Sequence, residues 1–424
     1  MRKLLKCNFF ILCLLVFNNL FAQALLSEPE KLLGLSRLWS EAKYNYVYFD
    51  QLKLDWDSLY LATIPKVQAS KSSEEYFSIL TEMCARLGDG HTNLIYTDDL
   101  WNKMLYRLPF RTRLIEGKAI VVQIGNDTLK TWGIEVGTEI LKINGEDIHE
   151  YVKKKIMPLQ CVSTNQDLLY RSYHNFSMGN MAESVLLTFK DLQGKIMEKR
   201  IERRMSRTYP NEILTFKVLE NNIAYLKINT FNNSKVSSEF DKIYPELLKT
   251  NGLVIDIREN GGGNSGHAMY ILSHLISKPF QSAKMHMKQY NPTFTVWGLS
   301  NSWFVVEGEA KFPIGGKTIY DKPIAMLISE RTFSAAEDFS MTFDYAKRGI
   351  LVGSSTGGST GQPYTFDLVG GVKAQVCSKK DTYPDGKVFV GVGIQPSILV
   401  KETIESIKNQ KDVVLEKALD TLKK

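Results

Sequence analysis

An α/β fold is what this 424-residue sequence predicts. From Ile223 onward, short apolar strands alternate with helical patterns, which leads to a sheet layered with crossover helices. Ahead of that stretch, from about Leu105 to Arg204, short strands are separated by Gly and Asn turns, the pattern of a small β module. Further upstream, apolar residues recur at helical spacing. The length exceeds one ordinary core and suits two or three domains.

Taken in order, the chain opens with Arg2, Lys3 and Lys6, an apolar run over 9–17, and Ala22-Gln23-Ala24 as a small-residue cleavage site. Residues 1–24 therefore read as a secretory signal peptide, and the protein as exported to a periplasm, cell envelope or the exterior. The run is interrupted by Asn18 and Asn19 and falls short of the roughly 20 apolar residues that span a bilayer. Residues 25–104 form a helical region, marked by Leu32, Leu35 and Leu38 and then by Phe77, Leu80 and Cys84. It stops at Leu87-Gly-Asp-Gly-His-Thr92, where the glycines end the helix and place His91, and a short strand follows over 93–96.

The β module occupies 105–205, with its clearest strands at 119–124, 139–143 and 184–189. The α/β layer occupies 206–424, with strands at 224–228, 253–257 and 324–328 and helices at 237–248, 267–276 and 335–346. Residues 278–317, which include Trp297 and Trp303, look irregular and long enough for a lid, a substrate-lining insertion or a purely structural one. Residues 401–424 read as a packing helix.

Composition excludes several classes. Hydrophobic content of 44% and charged content of 23% belong to a soluble globular protein rather than a disordered one. A net charge of +7 is mild for this length. The basic stretches 153–155 and 199–207 lack interleaved aromatics, so no nucleic-acid partner is expected. Past the leader, Cys84, Cys161 and Cys377 form an odd set that allows at most one bridge and matches no zinc pattern. His149, His174, His267, His274 and His286 fall in no metal-ligand spacing. No metal or cofactor is expected, and the oligomeric state is left open.

Chemistry concentrates at two places. Ser334 stands where the apolar run 323–328 gives way to a helix, so its hydroxyl would meet backbone N–H groups that lack intrahelical partners. A helix N-cap is the competing reading, since serine is favoured there. The second place is the glycine run 261–266, which has G-x-G-x-x-G spacing between a strand and a helix. It lacks the acidic residue about 20 positions on that a dinucleotide site requires. Its backbone N–H groups could instead approach a reacting carbonyl, and a plain tight turn is the structural alternative. Ser265, which also precedes a helix, is a weaker rival nucleophile.

Asp256-Ile-Arg-Glu-Asn-Gly-Gly-Gly263, Thr332-Phe-Ser-Ala-Ala-Glu337 and Gly391-Val-Gly-Ile-Gln-Pro396, in this order, resemble the carboxyl-terminal processing (tail-specific) serine peptidases of family S41. Leu87-Gly-Asp-Gly-His-Thr92 resembles the family's early His-Thr element. The segment Gly133-Ile-Glu-Val-Gly-Thr-Glu-Ile-Leu-Lys-Ile-Asn-Gly145 resembles a PDZ domain.

The resemblance implies a crotonase/ClpP-like ββα core with an inserted PDZ-like domain. It makes Ser334 the nucleophile, with Gly262 and Ala335 as oxyanion donors. The commoner branch of the family pairs its serine with a lysine. The matching loop here, Gly353-Ser-Ser-Thr-Gly-Gly-Ser-Thr-Gly361, has none, and Ser359 occupies that position. Lys347, Lys379 and Lys380 are the lysines that folding could bring in. The branch resembling the tricorn core protease uses a histidine, which His91 fits. Gly90 stands before it in place of a serine, the acidic member that the resemblance leads one to expect near Val390 is absent, and Asp89 and Glu337 are candidates for orienting the ring. The expected function is a serine endopeptidase acting on polypeptide substrates through an acyl-enzyme, with PDZ-like capture of substrate termini. The alternative is a non-catalytic peptide- or lipid-binding protein on the same fold.

Overall fold

The computed structural model describes residues 26–423 except 105, 180–182, 206–211 and 301. The leader predicted over 1–24 lies outside the described residues. Helix α1 (Glu28–Asn45) begins with Pro29 in its first turn and with the Glu30 carboxylate accepting the Ser27 N–H at 2.8 Å. Helices α2 (Trp56–Ala69) and α3 (Ser73–Ala85) start on the side-chain caps Asp55 and Ser72. The helical region expected over 25–104 is thus interrupted over 46–55, and the Asp55 cap restarts the helix. Strand β1 (Asn93–Ile95) follows the Gly88–Thr92 turn.

The β module contains β2 (Phe110–Ile115), β3 (Lys118–Ile124), β4 (Glu139–Ile143), helix α4 (Asn165–Asn175), β5 (Ser184–Lys190) and β6 (Ile196–Glu202). Its strands run antiparallel in the order β2-β3-β4-β5-β6, around a core of its own that includes Phe110, Ile140, Phe176, Leu187 and Phe189. Helix α4 was not anticipated. Its signal is Thr164, whose hydroxyl accepts the Asp167 N–H as a cap.

The α/β layer contains β7 (Leu214–Leu219), β8 (Ile223–Ile228), α5 (Val236–Leu247), β9 (Gly252–Asp256) and α6 (Ser265–Leu275). It continues with β10 (Lys284–Gln289), β11 (Ser302–Val306), β12 (Ile324–Ile328), α7 (Ala335–Tyr345) and β13 (Ile350–Gly353). The chain closes with β14 (Pro363–Asp367), β15 (Lys373–Cys377), β16 (Lys379–Thr382), β17 (Ile398–Leu399), α8 (Ile404–Lys408) and α9 (Val413–Leu422). The main sheet has the order β7-β8-β9-β12-β13-β17, parallel except for β7.

On one face Ile255, Met326 and Ile328 meet Phe240, Leu272 and Phe339 from the helices; on the other Val254, Ala325 and Leu327 meet Val414 and Ala418. Burial on both faces is why β9 and β12 read as unbroken apolar runs.

Two expectations are amended. The region 278–317 is not irregular: β10 and β11 pair as a hairpin arm, and β10 pairs on its other side with β16. The packing helix expected over 401–424 is two helices, divided where Gln410 takes a positive φ of 51° and Asp412 caps α9. The N-terminal helices do not close a core alone, because Leu35, Leu38, Tyr76 and Phe77 share theirs with Phe366, Ala374 and Val376 of the β1-β15-β14 sheet. No helix among the described residues is long and apolar enough to cross a membrane.

Candidate active site

Strand β12 ends at Ile328 and α7 begins at Ala335, so residues 329–334 must reverse the chain at the carboxyl edge of the sheet. Ser334 absorbs the turn with φ 56° and ψ −127°, a region that L-residues rarely adopt. Its N–H donates to the Ser359 carbonyl at 3.0 Å, and its own carbonyl accepts from Glu337 and Asp338. The hydroxyl makes no capping bond. It lies instead 3.0 Å from His91 Nε2.

His91 arrives from the other end of the sequence, on the turn after α3. A Cβ on Gly90 would stand 2.8 Å from both the Phe333 ring and Ser359 Oγ, so only glycine lets this turn press against the loop carrying Ser334. The fully buried Asp89 shapes the turn by accepting the His91 N–H at 3.2 Å and the Thr92 hydroxyl at 2.6 Å. Burial raises its pKa to about 6. The His91 ring stacks on Phe333 with centroids 4.8 Å apart, and its Nδ1 lies 2.9 Å from Ser359 Oγ. Burial, reinforced by the positive charges of Arg171 and Lys379, holds the imidazole down at about 4.

Ser359 is fixed in turn by Glu337. That carboxylate, buried in the first turn of α7, accepts the Ser359 N–H at 2.7 Å, the Gly358 N–H at 2.8 Å and the Thr356 hydroxyl. Burial pushes its pKa up to about 8, while the donors pull the other way. The order is Ser334, His91, Ser359, Glu337. A neutral imidazole so placed can take a proton from the serine hydroxyl through Nε2 while its Nδ1–H donates to Ser359.

The glycine run borders the same point. A Cβ on Gly262, whose φ is +95°, would lie 2.6 Å from Ser334 Cβ and 2.9 Å from Ala335 N. Gly263 is pressed against residues 231–232, so these glycines admit neighbouring protein backbone. As first residue of α7, Ala335 has an N–H with no intrahelical acceptor. The Gly262 N–H donates to Asn260 Oδ1 at 2.9 Å. Ser265 is turned to another task, donating to Asp338 Oδ2 at 2.6 Å.

Among the described residues no lysine hydrogen-bonds Ser334. Lys347 is exposed and 3.9 Å from Asp344, Lys379 is 3.1 Å from the buried Asp381, and Lys380 lies across from His286 in the β10–β16 ladder.

Residues 222–400 match the model of peptidase family S41. This stretch is similar to the core of peptidase family S41. A carboxyl-terminal-processing protease of Synechocystis is 22% identical over 204 residues, a match spanning 47% of this chain and 44% of that relative. Among solved structures, mature CPAF superposes with a TM-score of 0.71 at 16% identity, covering 93% of this chain and 97% of that one. The photosystem II D1 C-terminal processing protease gives 0.53 at 17% identity, covering 88% and 93%. A putative peptidase from Parabacteroides merdae gives 0.56 at 18%, covering 94% and 97%. At these identities the likeness is one of fold.

The sequence singled out Ser334, His91, Gly262 and Ala335, and folding brings all four together. Ser359 stands at the position where the lysine was missing, now beside the His91 ring. Of the two carboxylates considered, Glu337 reaches the ring's partner, whereas Asp89 holds the turn and accepts the Ser163 hydroxyl at 3.4 Å. Phe333 and Arg171 were not foreseen. Arg171, from α4 of the β module, lies 5.0 Å from the Phe333 ring, and Gln166 of the same helix donates to the Thr356 and Val392 carbonyls at 3.0 and 2.9 Å. Such contacts between segments distant in sequence leave no local pattern.

Proposed function

We propose that this protein is a serine endopeptidase that hydrolyses polypeptides through an acyl-enzyme on Ser334, with His91 as the base. The observation that carries the reading is the Ser334 Oγ to His91 Nε2 separation of 3.0 Å, made by a serine whose hydroxyl does no capping. His91 takes the hydroxyl proton as Oγ attacks the scissile carbonyl, then returns it to the leaving amine. Water repeats the cycle on the ester. Ser359 receives the Nδ1–H and Glu337 secures Ser359.

The developing oxyanion is received by the Ala335 N–H and by the Gly262 N–H, which exchanges its bond to Asn260 for the substrate oxygen. On this reading 25–104 is a helical region, 105–205 is PDZ-like and captures substrate termini, and 206–424 is a crotonase/ClpP-like core. Residues 1–24 direct export. The binding-protein alternative gains no specific support, since nucleophile, base and orienting hydroxyl stand in reacting order.

The test is intact-mass measurement after exposure to a fluorophosphonate. One adduct is expected on wild type and none on Ser334→Ala, with labelling strongly slowed in His91→Ala. An adduct retained in full by Ser334→Ala would refute the assignment.

A further inference from the structure

The hairpin arm β10–β11 exposes Tyr290, Val296, Trp297, Leu299, Trp303, Phe304 and Val305. Directly opposed residues of an antiparallel ladder share a face. Lys379 pairs with Met287 and Met287 with Phe304; Asp381 pairs with Met285 and Met285 with Val306. These two rows lie on one side of the β11-β10-β16 sheet.

That side is the one turned to the nucleophile helix. Tyr383, in step with Lys379 and Asp381, donates to Asp344 of α7 at 3.0 Å. The start of β16 also abuts the loop carrying Ser359, where a Cβ on Gly361 would stand 3.1 Å from the Lys379 carbonyl. The opposite side, with Lys288, His286 and Lys380, turns to the N-terminal region, since Lys288 Nζ pairs with Asp50 at 2.7 Å.

Met285 and Met287 are partly buried and Phe304 is 53% exposed, so an apolar strip continues outward from Lys379 with none of the described residues covering its outer end. Methionine side chains adapt to varied apolar shapes. Edge strand β11 carries no charge between Ser302 and Val306, so no charge along this edge deters an extended chain.

The geometry points to a substrate subsite on the face formed by Met285, Met287, Phe304 and Val306, which binds apolar side chains of an extended polypeptide during cleavage at Ser334. The proposal rests on the peptidase reading and adds a selectivity to it. Phe304 lies two strand spacings, about 10 Å, from the Lys379 row, so the subsite reads residues beyond those flanking the scissile bond.

The experiment compares two peptides with the same scissile residues, one flanked by Leu and Phe and the other by Ser and Gln. They are offered to wild type, to Met287→Gln/Phe304→Gln, and to Val305→Gln on the opposite face. Fluorophosphonate labelling of Ser334 is followed in each. Wild type is expected to favour the apolar peptide in kcat/KM by about tenfold or more, the yield of burying one or two large side chains. The double variant should bring that ratio near one while Val305→Gln keeps it. Equal cleavage of both peptides by labelled wild type, or a ratio unchanged in the double variant, would overturn the subsite and leave the peptidase reading standing. Failure of wild type to label would overturn both.

Discussion

The hydroxyl of Ser359 lies 2.9 Å from Nδ1 of His91, the ring nitrogen that does not face Ser334. A lysine at this position would compete for the serine proton; a serine cannot, and serves the imidazole instead by fixing its tautomer.

Ser359→Ala should therefore lower kcat by about 10- to 100-fold with KM little changed, because the base remains but its orientation loosens. Steady-state hydrolysis of an unfolded polypeptide checks this. An unaltered kcat would mean that the ring is held by Phe333 stacking alone.

The pH profile follows from the depressed pKa of His91. A histidine base read from sequence suggests activity rising through roughly pH 6 to 7, the ordinary imidazole range. In the folded protein the value is about 4, through burial and then Arg171 and Lys379, so labelling of Ser334 should rise near pH 4 and stay level from 6 to 8. The sign for stability is set by the unfolded chain taking up a proton first. The contribution is present above about 6.5 and disappears as pH falls toward about 4, amounting to roughly 3 kcal/mol. His91→Gln should lack this dependence in urea unfolding measured from pH 4 to 7. Matching slopes in both proteins would contradict the burial of a neutral ring.

Two neighbouring glycines separate a catalytic requirement from a turn requirement. Gly262→Ala places a methyl 2.6 Å from Ser334 Cβ in a backbone conformation with φ +95°, whereas a Cβ on Gly261 meets nothing within 4 Å. Gly262→Ala is expected to cost about 2 kcal/mol or more and to abolish labelling, and Gly261→Ala to do neither. Melting curves and labelling of both variants decide it. A fully active Gly262→Ala would remove Gly262 from the oxyanion site.

Much of this was legible because the features are local. Strands β9 and β12 carry unbroken apolar runs, and β4 appears at 139–143 between Gly and Asn turns as expected. Ser334, the glycine run and the turn bearing His91 are each a short motif. What escaped depends on assembly. Helix α4 begins at a single cap, Thr164, in a stretch otherwise full of turn residues, and the β10–β11 hairpin gains its third strand only from β16, nearly a hundred residues later. The Glu337 to Ser359 link could not be read from spacing, since Glu337 also suits the acidic first turn of any helix. Only the fold shows its carboxylate turned inward to receive backbone N–H groups.

That inward carboxylate supports the last prediction. Glu337 accepts from Ser359 N–H, Gly358 N–H and the Thr356 hydroxyl, so Glu337→Gln forces an amide NH2 against a donor. A buried polar group left unpaired costs about 1–3 kcal/mol, and the Ser359 loop should loosen, lowering kcat as Ser359→Ala does. Burial raises the folded pKa of Glu337 from 4.5 to about 8. The folded protein therefore keeps a proton that the unfolded chain has lost. Its stability contribution is full below about 4.5 and is lost as pH rises through about 8. The variant cannot ionise at this position, so the stability gap between wild type and Glu337→Gln should narrow from pH 5 to pH 9. Chemical denaturation of both proteins across that range measures it. A gap that stays level instead would mean that the donors outweigh burial and Glu337 is ionised throughout.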